Sequence, residues 1–183
     1  MKLSVVRNAS DTKVELMTSK EVRDLTNRIN RSDVSRIRTG GNAELKRFLP
    51  AVCWGASFAD GKRHAGEGNI KPTGLAFIDI DHVTSAPIPA QRRNEVVAFY
   101  EKHIVPLIDD GLLIVHVQVS PSGDGLHVVW VDDAKLPLEE AQKAFAEAAH
   151  LPFYDDKCKD QGRMLFLSPL EDTLFDLTDA LIE

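Results

Sequence analysis

The sequence holds two cysteines, Cys53 and Cys158, far apart and without a Cys-x-x-Cys pair. That spacing argues against a zinc site and against a disulfide framework, so a reducing cytoplasm is the expected compartment. Long apolar runs are missing as well. Nothing approaches the ~18 consecutive apolar residues of a membrane span, and the opening MKLSVVRNASD has no apolar stretch long enough for a signal peptide, so a soluble protein that makes no use of a membrane is expected. The phosphate-loop pattern Gly-x-x-x-x-Gly-Lys-Ser/Thr is absent. No two of the six histidines are separated by a single residue, which removes the His-x-His metal site of a rolling-circle nickase. There is no internal repeat and no low-complexity tract.

What is present is a 183-residue chain with 43% apolar residues, enough for one domain with a real core. Its net charge of −6 hides a division. Residues 1–72 carry 14 Lys and Arg against 8 Asp and Glu, while residues 73–183 carry 8 against 20. A basic N-terminal lobe beside an acidic core suits a polyanion-gripping surface next to a metal-binding centre, although both also fit ordinary solvated surface.

The pattern along the chain is mixed. TSKEVRDLTNRINR predicts a helix with a capping box from Thr18 to Glu21 and an apolar stripe of Val22, Leu25 and Ile29. NAELKRFLPAV predicts a shorter helix stopped at or before Pro50, and residues 59–74 a mobile basic loop. LAFIDID reads as a strand, and a helix is expected from about Pro89 to Leu107, with Gly111 at its exit. LLIVHVQV and LHVVWVD, separated by SPSGDG, read as a hairpin. LPLEEAQKAFAEAAH is expected to be a helix, FYDD and RMLFLS read as short strands or strand edges, and DTLFDLTDALIE reads as a closing helix. An α+β fold with helices packed on a largely antiparallel sheet fits this order.

Three places carry chemistry. Asp79 and Asp81 stand two apart on a strand, hence on one face, with Ile78 and Ile80 turned to the core. Two such carboxylates repel until a divalent cation lies between them, and hard oxygen ligands suit Mg²⁺ or Mn²⁺. A bare Asp-x-Asp also fits a strand end facing solvent. In SGDGLH, Gly123 and Gly125 allow backbone amides to converge on an anion, Ser122 adds a hydroxyl, and His127 follows on the next strand. An ordinary glycine hairpin fits this stretch too. A third carboxylate comes from FYDDKCKDQGR, where Asp155 shares a face with Phe153, and Lys157, Lys159 and Arg163 supply positive charge.

Taken in order, these motifs resemble the archaeo-eukaryotic primase, or primase-polymerase, superfamily. Within it the chain is most similar to the VirE N-terminal-like primase-type domain of phage and mobile-element proteins. The likeness covers about residues 43–170, on NAELKRFLPAVCWGASF, TGLAFIDIDH, VSPSGDGLHVVW and an Asp-x-x-Cys-Lys-Asp-x-x-Arg segment running into FLS. It implies an RRM-like sheet bearing the active site and an additional N-terminal α/β lobe. It further implies that Asp79 and Asp81 hold two catalytic Mg²⁺ or Mn²⁺ ions and that Ser122 and His127 contact the phosphates of the incoming nucleotide. Asp155 would be the remaining metal-binding carboxylate, with Asp156 and Asp160 as close alternatives. Arg163 matches the arginine ahead of the FLS strand, and we read it as a triphosphate contact.

The expected activity is template-dependent nucleotidyl transfer by two-metal catalysis, making or extending primers on single-stranded DNA from nucleoside triphosphates. The basic residues Arg36, Arg38, Lys46, Arg47, Lys62 and Arg63 would track the template's phosphates. Two rival readings are a single-stranded nucleic-acid-binding module without synthesis and a metal-dependent nuclease. Since no phosphate loop accompanies the motifs, a helicase is expected either in another part of a longer chain or as a partner in trans.

Overall fold

The computed structural model describes residues 1–66 and 68–181 of the chain. The basic part opens with β1 (Leu3–Val6) and β2 (Glu15–Met17), followed by α1 (Ser19–Asn27) and α2 (Arg31–Arg38). A 3-10 helix over Ala43–Phe48 then leads into β3 (Ala51–Cys53), β4 (Ala56–Phe58) and β5 (Ile70–Pro72). The capping box on α1 is present: Thr18 Oγ1 accepts from the Glu21 amide, and Glu21 Oε2 accepts from the Thr18 amide at 2.7 Å. The helix expected to run on through Arg31 stops because Asn30 begins another. Its Oδ1 accepts from the Ser32 amide at 3.0 Å, which caps α2 instead of continuing α1. The basic loop is shorter than its composition suggests, because β5 pairs with β4 and the Asn69 amide ties the loop down, donating to the carbonyls of Lys62 and His64.

The acidic part contains β6 (Leu75–Ile80), α3 (Pro89–His103), α4 (Val105–Asp109), β7 (Ile114–Val119), β8 (Leu126–Val131) and α5 (Leu138–Ala148). After them come β9 (Leu165–Phe166), a 3-10 turn at Leu170–Asp172, β10 (Thr173–Asp176) and a 3-10 turn at Thr178–Leu181. The helix expected over 89–107 is broken at Ile104, two residues ahead of Pro106, which has no amide to donate to the preceding turn.

Two antiparallel four-stranded sheets result, ordered β2-β1-β3-β9 and β10-β7-β8-β6. In the second, α3 carries the chain from β6 over to β7, and β8 fills the place between them. The closing helix expected after Asp172 is mostly a strand: Thr173, Phe175 and Asp176 pair with Gln118, Val117 and His116, and Asp176 Oδ1 then accepts from Thr178 and turns the chain. Residues 182–183 of that expected helix lie outside the described residues. FYDD forms no strand; its segment touches β6 through the Asp155 amide, which donates to the Asp79 carbonyl at 2.9 Å. The basic part is not closed on itself, because β9, from far along the chain, pairs with β3.

The strands β6, β7 and β8 are buried along nearly their whole length, which explains their near-continuous apolar runs. One face, with Ala76, Ile78 and Trp130, takes the helices, and Trp130 stacks on Phe145 of α5 at 4.4 Å. The other face packs on the first sheet, where Trp54 stacks on His116 at 5.0 Å. The Asp79 face is therefore mostly closed. Among the described residues no helix is long and apolar enough to cross a membrane.

Candidate active site

Strand register places the polar residues of the second sheet in line. Asp79 on β6 lies opposite His127 on β8, and His127 lies opposite Gln118 on β7. All three side chains point toward the first sheet. At the Asp79 end the two sheets part, leaving an open cleft lined by Lys46, Arg63, Asp79, His127, Arg163 and the β9 strand. Three cations thus face one carboxylate and one imidazole. Lys46 sits 5.8 Å above the Phe166 ring, and Arg63 donates to the Ala9 carbonyl at 3.2 Å.

The protonation states follow from burial. Asp79 is 9% exposed, and its Oδ1 is buried with no hydrogen-bond partner. Burial pushes its pKa up to about 6; the charges of Asp155 and Asp124 add to this, and Lys46 and Arg163 oppose it. His127 is 2% exposed, and burial followed by the Lys46 charge pushes its pKa down to about 3, so the ring is neutral at neutral pH. Its Nε2 stands 3.5 Å from Asp79 Oδ1, which is a dipole facing a carboxylate and not an ion pair.

Gln118, 1% exposed, sets the tautomer of that ring. Its amide nitrogen donates to the Phe166 carbonyl at 2.8 Å and to His127 Nδ1 at 3.1 Å, which leaves the ring proton on Nε2, aimed at Asp79. Gln118→Leu would leave two buried acceptors unpaired. The expected cost is about 1–3 kcal/mol in urea unfolding. Long-range proton–nitrogen spectra of labelled protein are expected to show one His127 tautomer in the wild type and a mixture in the variant; a single unchanged tautomer in both would show that Gln118 does not set it.

The third acid is brought in by the Asp155 backbone contact with β6. Among the described residues, oxygens of Asp79 and Asp155 and the sulfur of Cys158 lie within 4.8 Å of one another. Asp156 and Asp160 are exposed and outside this cluster, and Asp160 Oδ1 accepts from the Gly162 amide. Burial tends to raise the Asp155 pKa, but the Lys157 amide, the Cys158 thiol and the charges of Arg163 and Lys157 hold it below the usual carboxylate value. The Cys158 thiol, pushed up to about 12 by burial and by Asp155, stays protonated and donates to Asp155 Oδ2 at 3.1 Å. It orients the carboxylate. Asp81 lies just past the end of β6, half-buried and outside the cluster; its pKa is raised by burial and then by the charge of Asp79. A search of protein-family models, of curated proteins and of solved structures returns no match for this chain.

The glycine hairpin is not part of the cleft. Ser122 and Gly123 line a separate small pocket with Arg38, Arg92 and Arg93, and Ser122 Oγ bonds to Ser120 Oγ at 2.8 Å. The Gly123 amide is engaged by the Ser120 carbonyl at 2.8 Å, and the loop's carbonyls accept from Arg38 and Arg92. Two of the loop's carbonyls, those of Pro121 and Ser122, are thus turned toward arginines of this chain, and the Gly123 amide is taken by Ser120. Gly125 is required by close approach: a Cβ there would stand 2.4 Å from the Ile80 carbonyl oxygen.

The basic residues divide likewise. Lys46 and Arg63 reach the cleft. Arg38 is engaged elsewhere, because it and Arg93 share the buried carboxylate of Asp172 at 2.6 and 2.7 Å. Arg36 and Arg47 lie on the exposed surface beside Asp33 and Glu44, and Lys62 is exposed. Sequence reasoning missed Gln118, Cys158 and the placing of Lys46 and Arg63 in the cleft. For Gln118 a signal existed, since it and His116 are the two polar residues of IVHVQV, two apart and so on one face of an otherwise apolar strand.

Proposed function

We propose that the chain is a nucleotidyltransferase of the primase-polymerase kind, extending or initiating a strand on a single-stranded DNA template from nucleoside triphosphates. The observation that carries this reading is the buried, unpartnered Asp79 Oδ1 beside Asp155 in a cleft whose other groups are Lys46, Arg63 and Arg163. The order β6-α3-β7 with β8 between, followed by α5, supports an RRM-like core. In such a fold the chain returns after its second helix to the first strand's edge. Here the Asp155 segment does so with one hydrogen bond, and β10 is added at the far side. The two unpaired cysteines suit a reducing compartment.

Asp79 and Asp155 fit a hard divalent cation such as Mg²⁺ or Mn²⁺, with Asp81 close by; the ion would lower the pKa of the attacking hydroxyl and balance charge on the phosphoryl oxygens. The protein's own cations then bind the triphosphate tail, and His127, neutral and fixed by Gln118, presents Nε2–H beside the acids. In the transfer, the strand's 3′-oxygen bonds to the α-phosphorus and the bond from that phosphorus to the bridging oxygen breaks. Pyrophosphate departs toward Lys46, Arg63 and Arg163, and the hydroxyl proton passes to water. A helicase acting with the domain would supply single strands.

Incubation with single-stranded DNA, labelled nucleotides and Mg²⁺ or Mn²⁺ is expected to give lengthened product. DNA bound but never extended would leave a binding module, and shortened DNA a nuclease. Arg163→Ala and Lys46→Ala are each expected to raise KM for the nucleotide about 10- to 100-fold, the size of a lost charge-assisted contact, without lowering the melting temperature. An unchanged KM in both would remove the triphosphate from this cleft.

A further inference from the structure

The acids separate two depressions of the surface. Asp79 opens on the cationic cleft, while Asp155 and Asp81 open on a second groove completed by His82, Phe153, Tyr154 and Lys157. This groove has a different chemistry. Phe153 is 42% exposed, an uncovered aromatic ring, and Tyr154 beside it is partly buried against the core. The Asp155 amide is bonded to β6, so the ring two residues earlier is held near the acids by backbone and does not hang on a loose loop. Lys157 is exposed at the groove, and its amide donates to Asp155 Oδ1 at 2.9 Å.

Resting on the nucleotidyltransferase reading, the geometry points to this groove as the seat of the 3′-terminal nucleotide of the strand being extended, with its base stacked on Phe153. In-line displacement at phosphorus sets the attacking and leaving oxygens on opposite sides. The leaving pyrophosphate belongs with the three cations of the cleft, so the attacking hydroxyl must arrive from the other side of the Asp79–Asp155 pair. We assign that side to the aromatic groove, which Asp155 and Asp81 line and the three cations do not. A nucleobase has an apolar face of the kind an exposed aromatic ring accepts whatever the sequence, and Lys157 offers a charge to the phosphate behind it. The carboxylates exclude a bare polyanion from the groove but suit a sugar hydroxyl.

The test uses a primer–template duplex with 2-aminopurine at the primer's 3′ end, whose fluorescence falls when the base stacks. Quenching is expected on binding to the wild-type protein, to be lost in Phe153→Ala and kept in Phe153→Trp. In steady-state incorporation, Phe153→Ala is expected to raise KM for the primer about tenfold with KM for the nucleotide unchanged. If the wild type extends the primer but Phe153→Ala leaves quenching and primer KM unaltered, the groove assignment is wrong and the activity stands. If the response moves to 2-aminopurine placed at the templating position, the groove holds the template and the assignment is again wrong. No incorporation by the wild type at all overturns the enzymatic reading and this inference with it.

Discussion

Replacing Asp79 by asparagine is expected to abolish nucleotide incorporation and, without divalent ions, to make the protein harder to unfold. The loss of activity should be about 10³-fold or more, since the side chain is placed to hold the reaction's charge. The gain in stability has a separate origin. A carboxylate whose ordinary pKa is 3.8 is raised to about 6 on folding, so the folded state binds more protons than the unfolded state between those values. Wild-type stability therefore falls as pH rises from about 4 through about 6 and stays reduced above that, by about 3 kcal/mol. Asparagine carries no such charge. Urea unfolding in a chelator should show Asp79→Asn gaining that amount at pH 7.5 and little near pH 4, and Mn²⁺ should stabilise the wild type but not the variant. Equal stability of the two proteins at pH 7.5 would mean that the carboxylate is not held against its own charge.

The second large effect is expected from Gly125→Ala. The added Cβ would meet the Ile80 carbonyl oxygen at 2.4 Å and the Asp81 Cα at 3.2 Å, both backbone atoms in or beside a paired strand. Neither can move without shifting the end of β6, where Ile80 pairs with Leu126 between the two aspartates. A loss of about 3 kcal/mol is expected, together with loss of activity from the protein that still folds. Gly123→Ala makes the contrast. Its φ of +79° favours glycine, at a cost of about 1–2 kcal/mol for any other residue, but the atoms a Cβ would meet, at 3.0 Å and beyond, belong to the Arg38 side chain and not to a paired strand's backbone. Urea unfolding of the two variants should rank them in that order; Gly125→Ala as stable as Gly123→Ala would show that the approach to Ile80 is not tight.

Much of this could be read without coordinates. The strand at LAFIDID and the hairpin strands around SPSGDG follow from β-branched runs and turn residues, and Thr18 and Glu21 announce α1. Of the three acids expected together, Asp79 and Asp155 lie close and Asp81 stands outside their cluster; it is the family resemblance that favours Asp155 over Asp156 and Asp160, and Asp155 comes to Asp79 without the strand expected at FYDD. What stayed hidden depends on contacts between distant segments. The C-terminal TLFD, which in isolation alternates too weakly to exclude a helix, is a strand because β7 has an open edge to receive it. Composition also cannot say which pocket a loop lines: Ser122 and Gly123 sit with Arg38, Arg92 and Arg93, remote in sequence, and not with Asp79. The division of the basic residues between cleft, ion pair and open surface is tertiary in the same way.

The pairing of β9 with β3 has a practical consequence. The chain crosses back into the first sheet after the acids have been placed, so the basic segment is not a separable unit that can be grafted onto another protein. Cut away behind Pro72, it would expose the hydrogen-bonding edge of β3, with Val52 beside it, to pair with whatever strand came near, and one wall of the cleft would leave with the other fragment.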